Sequence, residues 1–277
     1  MASKKFTNFE WKVPSVIATL PEGKDAKKLY NAIKANEASF DGISKLGFLD
    51  YNLKQIRGSN SFRAGQMNKL LKNSGVRVAV PGDDFNGDIY NLIKDKYYTD
   101  FNAFAVHKEK PNYEKNNGLW TRVSELIEEV NGSVPAHSMI QGFYALPNKT
   151  EKNYGIKIVS ASNFELIEDD RLSERYNGWK FDKVDEKGLP LSLDKSKGNR
   201  TFYTRNDGLS RVFLNNNGDL NAWGDDLAGS NYSGRVVLVS DAEGVVPRNF
   251  EVESEINKKI SKLEKLKNKY LTELKKI

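Results

Sequence analysis

Hydrophobic positions in the first hundred residues follow the period of an α-helix. Over 24–36, Ala26, Tyr30 and Ile33 fall on one face, which predicts an amphipathic helix. The same reasoning predicts helices at 62–72 and 85–98 and a short strand at 76–80. We therefore expect a small, mostly helical N-terminal unit over 1–100.

The pattern changes after residue 100, where short apolar runs alternate with turn-rich segments. One amphipathic helix is predicted at 120–130, with Trp120, Val123 and Ile127 on one side. The predicted strands lie at 101–106, 139–146, 154–160, 178–184, 201–203 and 235–239. Helices followed by many short strands and irregular loops indicate an α+β fold, so we expect an α+β domain over 101–246.

The segment 209–240, LSRVFLNNNGDLNAWGDDLAGSNYSGRVVLVS, has a pattern of its own. Between Asn215 and Ser233, fourteen of the nineteen residues are Asn, Asp, Gly, Ser or Tyr, and a sparse apolar frame separates them. Each of these amino acids is encoded by AAC or by a codon that differs from AAC only at its adenines. A polar, turn-rich loop explains the composition, since Asn, Asp, Gly and Ser suit turns. A binding surface, as in antibody loops, explains it equally well.

This segment resembles the variable region of proteins that are diversified by diversity-generating retroelements. In those proteins the region closes a C-type-lectin-like domain and finishes in a Gly-Arg-Val-Val strand, which Gly234–Val239 matches here. The residues that match the fixed framework are Leu209, Arg211, Leu214, Leu220, Ala222, Leu227, Ser230 and Gly234–Val239. The resemblance implies a C-type-lectin-like fold with few helices, a small antiparallel sheet and long loops. It also implies a viral or cell-surface protein.

The polar positions between the framework residues are the predicted binding site for a protein or surface ligand. Trp223 and Tyr232 are the expected anchors, because aromatic side chains supply a large contact area at low entropic cost. The full set of predicted ligand-binding residues is Asn215, Asn216, Asn217, Asp219, Asn221, Trp223, Asp225, Asp226, Asn231 and Tyr232. We expect these side chains to be mostly solvent-accessible, and Leu214, Leu220 and Leu227 to be buried.

A helix is predicted over 250–277, at the end of the sequence. Residues spaced alternately by four and three form a heptad seam with one charged interruption, namely Ile256, Ile260, Leu263, Lys267, Tyr270, Leu274 and Ile277. One interpretation is a helix packed on its own domain. The other is a coiled coil that joins chains into a homo-oligomer, for which we expect a trimer ahead of a dimer.

The composition limits the kinds of chemical site that this chain can form. The chain of 277 residues has 43 basic and 37 acidic side chains, a net charge of +6, no cysteine and two histidines. Disulfides, cysteine-ligated metals and histidine-rich metal sites are therefore excluded. The first residues lack the apolar run of a secretory signal, and no stretch has the length of a membrane span. We expect a protein that is made in the cytoplasm, is not inserted in a membrane and acts on a virion or cell surface.

Two other patterns bear on chemistry, one on a calcium site and one on a catalytic triad. Polar residues at the spacing of calcium-loop ligands are Asn215, Asn217, Asp219, Asn221 and Asp226. Leu220 stands where that loop needs glycine and Asp226 where it needs a bidentate glutamate, so no metal is expected. His107 and His137 lack the partner pattern of a catalytic triad, and we expect both to be structural.

We therefore predict a binding protein rather than an enzyme, with no cofactor. One alternative is a virion structural protein in which this domain is only a spacer. Another is a nucleic-acid-binding regulator, whose recognition helix and strand over 62–80 would contact phosphates through Arg63, Lys69, Lys72 and Arg77. Because charges of both signs are spread evenly along the chain, nucleic acid is not the expected partner.

Overall fold

The computed structural model describes residues 18–109, 118–151, 153–224 and 226–240. The helices are α1 (Gly23–Glu37), α2 (Ser61–Leu70), α3 (Asp88–Ile93) and α4 (Leu119–Asn131). The strands are β1 (Ala18–Thr19), β2 (Asp50–Tyr51), β3 (Ile56–Arg57), β4 (Val76–Val78), β5 (Thr99–His107), β6 (His137–Pro147), β7 (Ile156–Glu168), β8 (Trp179–Phe181), β9 (Arg200–Tyr203), β10 (Leu209–Leu214), β11 (Leu220–Asn221) and β12 (Leu238–Ser240). The predicted α+β class is confirmed. The helix predicted over 250–277, with its heptad seam, lies outside the described residues.

Local sequence explains where several helices begin and end. The side chain of Asn60 accepts a hydrogen bond from the Phe62 N–H at 2.9 Å and so caps the start of α2. Gly132 follows α4 with φ of 79°, a left-handed conformation that ends helices and favours glycine. The helix predicted at 85–98 is shorter in the structure. It starts only after Gly87, whose φ is 78°, and the chain turns away at Asp95, whose φ is 61°.

A sheet of seven strands forms the centre of the fold, in the order β7-β6-β5-β10-β11-β9-β8. All its pairings are antiparallel except the one between β11 and β9. The sheet is therefore larger than the small antiparallel sheet that the resemblance implies. β7 is an edge strand that is paired with β6 from Ile156 to Glu168, with a register shift between Gln141 and Phe143 of β6. The continued pairing with β6 extends the strand beyond the predicted 154–160.

β5 is buried along its whole length because both faces of the sheet are covered there. Alternate side chains of a strand point to opposite faces. Phe104 belongs to a core cluster with Phe62 of α2 and Val123 of α4. Ala103 belongs to the cluster on the other face, which contains Ile89 of α3. The β10 strand, where the candidate surface begins, pairs directly with this buried strand.

A second sheet joins distant parts of the chain in the order β1-β12-β4. Leu238 of β12 pairs with Thr19 on one side and with Val78 on the other. Its side chain packs in a cluster with Ile33 of α1 and Met67 of α2. Residues on both sides of the boundary predicted at 100 therefore contribute to the same sheet and the same core.

No helix in the described ranges is long and apolar enough to cross a membrane.

Candidate binding surface

The apolar frame of the segment 209–240 is buried, as predicted. Leu214, Leu220 and Leu227 are 0%, 2% and 3% exposed. Leu220 pairs with Leu214 on one side and, in the parallel register, with Phe202 on the other. Because cross-strand partners point to the same face of a sheet, Leu214, Leu220 and Phe202 enter one core cluster, whereas Leu227 packs in the cluster on the other face. The frame therefore packs on the central sheet and gives the surface a rigid support.

Most of the predicted polar set is accessible to solvent. The exposed members are Asn216, Asn217, Trp223, Asp226, Asn231 and Tyr232. Asn215 and Asn221 are half-buried, and Asp225 lies outside the described residues. Trp223 and Tyr232 are 52% and 62% exposed. Both aromatic side chains are therefore placed where a partner can contact them.

Asp219 is buried, and the prediction that it is an exposed ligand contact is wrong. It is 8% exposed. Its Oδ1 accepts a hydrogen bond from the Thr201 N–H at 2.7 Å, and its Oδ2 accepts one from Asn217 Nδ2 at 2.8 Å. The physical reason is that the start of β9 brings a buried backbone N–H beside the β10–β11 turn, and such a donor needs an acceptor. Asp219 therefore joins the turn to β9.

Several asparagines of the surface also stabilise their own turns. The side-chain oxygen of Asn221 accepts hydrogen bonds from the N–H groups of Trp223 and Gly224 at 3.0 and 3.1 Å. The oxygen of Asn231 accepts from the Ser233 N–H at 2.9 Å. These are the local turns that Asn forms readily. The turn uses the amide oxygen, and the amide carries two further donors on its nitrogen. The turn-forming and binding interpretations therefore apply to different atoms of one side chain.

A buried ion pair lies beneath the loop 226–235. Arg211 of β10 donates from Nη1 to Asp100 Oδ1 of β5 at 2.7 Å, and from Nε to the Asp226 carbonyl oxygen at 2.9 Å. Asp100 is 1% exposed, and burial raises its pKa to about 6 although Arg211 favours the charged form. Removing one partner of such a pair costs about 3–5 kcal/mol, since the other charge stays buried. Arg211 therefore connects the loop backbone to the central sheet.

Residues far away in sequence hold the same loop in place. Asn60 Nδ2 donates to the Leu227 carbonyl oxygen at 2.8 Å, and Ser230 Oγ accepts from the Ser59 N–H at 3.0 Å. The Asn231 N–H donates to the Tyr98 hydroxyl oxygen at 2.9 Å. Sequence reasoning missed Ser59, Asn60, Tyr98 and Asp100 as part of the site, because no local pattern indicates a partner more than a hundred residues away.

The side chain of Tyr232 is ordered by two neighbours although it is exposed. The Arg57 guanidinium lies 4.7 Å from the centre of its ring, and the Phe48 ring packs edge-on with centroids 4.6 Å apart. Cation–π and edge-to-face contacts of this kind stabilise a ring by about 0.5–1.5 kcal/mol. A ligand that contacts Tyr232 therefore meets a side chain that has already lost much of its rotamer freedom.

The two histidines, which the sequence left unconnected, face each other across β5 and β6. His107 and His137 are cross-strand partners, with 3.2 Å between their Nδ1 atoms. Burial, together with the neighbouring His137, lowers the pKa of His107 to about 4. The register of β5 and β6 creates this pair, and residues thirty positions apart carry no local sign of it. In the described part of the chain no cluster of three or more His, Cys, Asp or Glu side chains is arranged to hold a metal.

Of the four residues proposed for phosphate contacts, Lys69 and Lys72 are exposed, whereas Arg63 and Arg77 are engaged within the fold. Arg63 is 1% exposed and forms an ion pair with Glu37, while Arg77 pairs with Asp83. α2 is covered because it packs on β5 and β6. Arg63 therefore cannot reach a phosphate from its place in the fold.

Comparison of the chain with protein-family models, with curated proteins and with solved structures finds no match. The function is therefore argued from the geometry of this surface.

Proposed function

We propose that this protein is a recognition protein, and that its surface over 215–233 binds a protein or surface ligand and is diversified between copies. The observation that carries the proposal is that the backbone and the side chains of the loop 226–235 have different roles. Its backbone is bonded to Asn60, Tyr98 and Arg211, whereas the side chains of Asp226, Asn231 and Tyr232 are exposed. Recognition residues commonly sit on loops that a rigid scaffold positions.

Such a division allows side chains to change without loss of the fold. Substitutions at exposed positions usually alter stability by less than about 0.5 kcal/mol. Asn, Asp, Ser, Gly and Tyr together offer adaptable hydrogen bonding and aromatic contact, as in antibody loops. These are also the amino acids that adenine-specific variation of AAC codons supplies. The proposal includes a C-type-lectin-like fold and a virion or cell-surface location, for which the resemblance is the support.

A display library tests the proposal directly. Each of Asn216, Trp223, Asp226 and Tyr232, which are all exposed, is replaced by Asn, Asp, Ser, Gly or Tyr in all combinations. We expect the folded fraction, measured as protease resistance on the display surface, to stay high. We also expect selection against a purified globular protein to enrich specific binders.

A matched control library applies the same replacements at Asp219, Leu220, Leu227 and Ser230. It should lose most of its folded members, because those side chains are buried or fix the loop. Equal losses in the two libraries would show that the exposed positions are structural. A folded first library that never yields binders would contradict the recognition role.

The gene neighbourhood tests the diversification part separately. We expect a reverse-transcriptase gene and a near-copy of the 209–240 coding segment that differs from it at adenines. A neighbourhood without either would leave a binding surface that is not diversified in this way.

A further inference from the structure

An open cleft of about 620 Å³ lies next to the surface, and Arg235, which lines it, is hydrogen-bonded to the backbone of Tyr232 and Gly234. Its lining includes Lys54 and Gln55 from the β2–β3 hairpin, together with Tyr97 and Arg235. Gly23, the first residue of α1, also lines it, and a side chain added there would meet no atom within 4 Å. The cleft therefore has open space directly at the N-terminus of a fifteen-residue helix.

Arg235 differs from the other buried arginines of the described chain. Arg63, Arg200 and Arg211 each form an ion pair with a carboxylate. Arg235 is 7% exposed, yet no carboxylate within the described ranges lies at ion-pairing distance. Burial lowers its pKa, because the charged form has lost hydration. A guanidinium nevertheless stays protonated in proteins.

Neutral groups orient the Arg235 guanidinium without balancing its charge. It lies over the Tyr97 ring at 4.1 Å, and its Nε donates to Gln55 Oε1 at 3.1 Å. Its Nη1 donates to the carbonyl oxygens of Tyr232 and Gly234 at 2.8 and 2.7 Å. Buried charges are normally paired, so an anion in the cleft would supply the missing partner.

We propose that this cleft binds an oxyanion, a carboxylate or phosphate group, between Arg235, Lys54 and the N-terminus of α1. The dipole at a helix N-terminus favours anions, although the Gly23 N–H itself already donates to the Lys54 carbonyl oxygen at 2.6 Å. The Lys54 side chain adds a cation at the rim. Glu22 opposes binding, since its carboxylate lines the same cleft and accepts a hydrogen bond from Gln55 Nε2. The site is separate from the exposed polar side chains, so it does not depend on the proposed function.

Titration of the intact chain with inorganic phosphate, and separately with acetate, tests the proposal. Amide resonances of Gly23 and Lys54 should shift saturably with at least one anion, and the arm that binds tighter identifies the anion type. Arg235→Gln should weaken binding roughly tenfold or more, the loss of about 1.4 kcal/mol of interaction. Lys157→Ala, an exposed lysine on β7 outside the cleft, is the control and should leave binding unchanged.

Two variants at the rim of the cleft test the proposal even if Arg235→Gln does not fold. Lys54→Ala should weaken binding and Glu22→Gln should tighten it, each by several-fold, because one removes an attractive charge and the other a repulsive one. Opposite shifts in the two variants support the site. Absence of saturable shifts with both anions would overturn the proposal, and so would identical affinities in Lys54→Ala, Glu22→Gln and the unaltered chain.

Discussion

Replacing Asp219 tests the most consequential difference between the sequence prediction and the structure. Asp219→Ala removes two hydrogen bonds to a carboxylate that is 8% exposed, and it leaves the Thr201 N–H buried without an acceptor. A hydrogen bond to a charged group contributes about 1.5–3 kcal/mol, and an unsatisfied buried donor costs about 1–3 kcal/mol. Because these two figures describe the same lost contact, we expect the free energy of unfolding to fall by about 2–3 kcal/mol.

Asp219→Asn provides a graded variant of the same site. Its remaining oxygen can still accept from Thr201, but its amide nitrogen then faces the amide nitrogen of Asn217, so we expect a loss of about 1 kcal/mol. Asn216→Ala is the matched control, since Asn216 is exposed and its replacement should change stability by less than about 0.5 kcal/mol. Urea unfolding followed by circular dichroism measures all three. The reasoning is refuted if Asp219→Ala unfolds at the same urea concentration as Asn216→Ala.

Three further predictions concern pH and backbone strain. The folded-state pKa of His107 is about 4, below its ordinary 6.5, so the unfolded chain binds more protons than the folded protein between these values. The free energy of unfolding should therefore rise by roughly 3 kcal/mol from pH 4 to 6.5. In His107→Gln the urea midpoint should depend less on pH over this range. Asp100 acts oppositely, because its raised pKa of about 6 means that the folded protein holds the proton more tightly than the unfolded chain. Its contribution to stability is therefore full below about pH 4 and is lost as the pH rises through 6. In Asp100→Asn the urea midpoint should rise more steeply with pH than in the unaltered chain. Leu53 is 83% exposed and has a left-handed φ of 72°, a conformation that favours glycine. Leu53→Gly should therefore stabilise the fold by about 0.5–1 kcal/mol and raise the melting temperature. A lowered melting temperature would show that the leucine side chain is needed for packing.

Local periodicity was sufficient to predict several elements closely. The helix predicted at 24–36 is observed as Gly23–Glu37, and the one at 120–130 as Leu119–Asn131. Both have an apolar stripe with the period of a helix, which is written in neighbouring residues. The helix at 85–98 was overestimated, because Gly87 and Asp95 take left-handed conformations that apolar spacing does not reveal.

The sequence by itself determined the division of the candidate surface into a buried frame and an exposed polar set. Leu214, Leu220 and Leu227 are buried, and Asn216 and Tyr232 are exposed, because burial follows side-chain hydrophobicity at each position along a strand and its turn.

Only the tertiary structure decided which polar side chains are structural. Asp219 is buried because Thr201 needs an acceptor, and Arg211 is buried because Asp100 lies beside it on the neighbouring strand. Arg235, which was assigned to the framework by its place in the closing strand, is likewise held by residues distant in sequence, namely Tyr97 and Gln55. A polar side chain is suited to water or to the interior depending on whether a partner is present. Those partners come from strand pairing and loop contacts between residues far apart in sequence, so no local pattern can specify them.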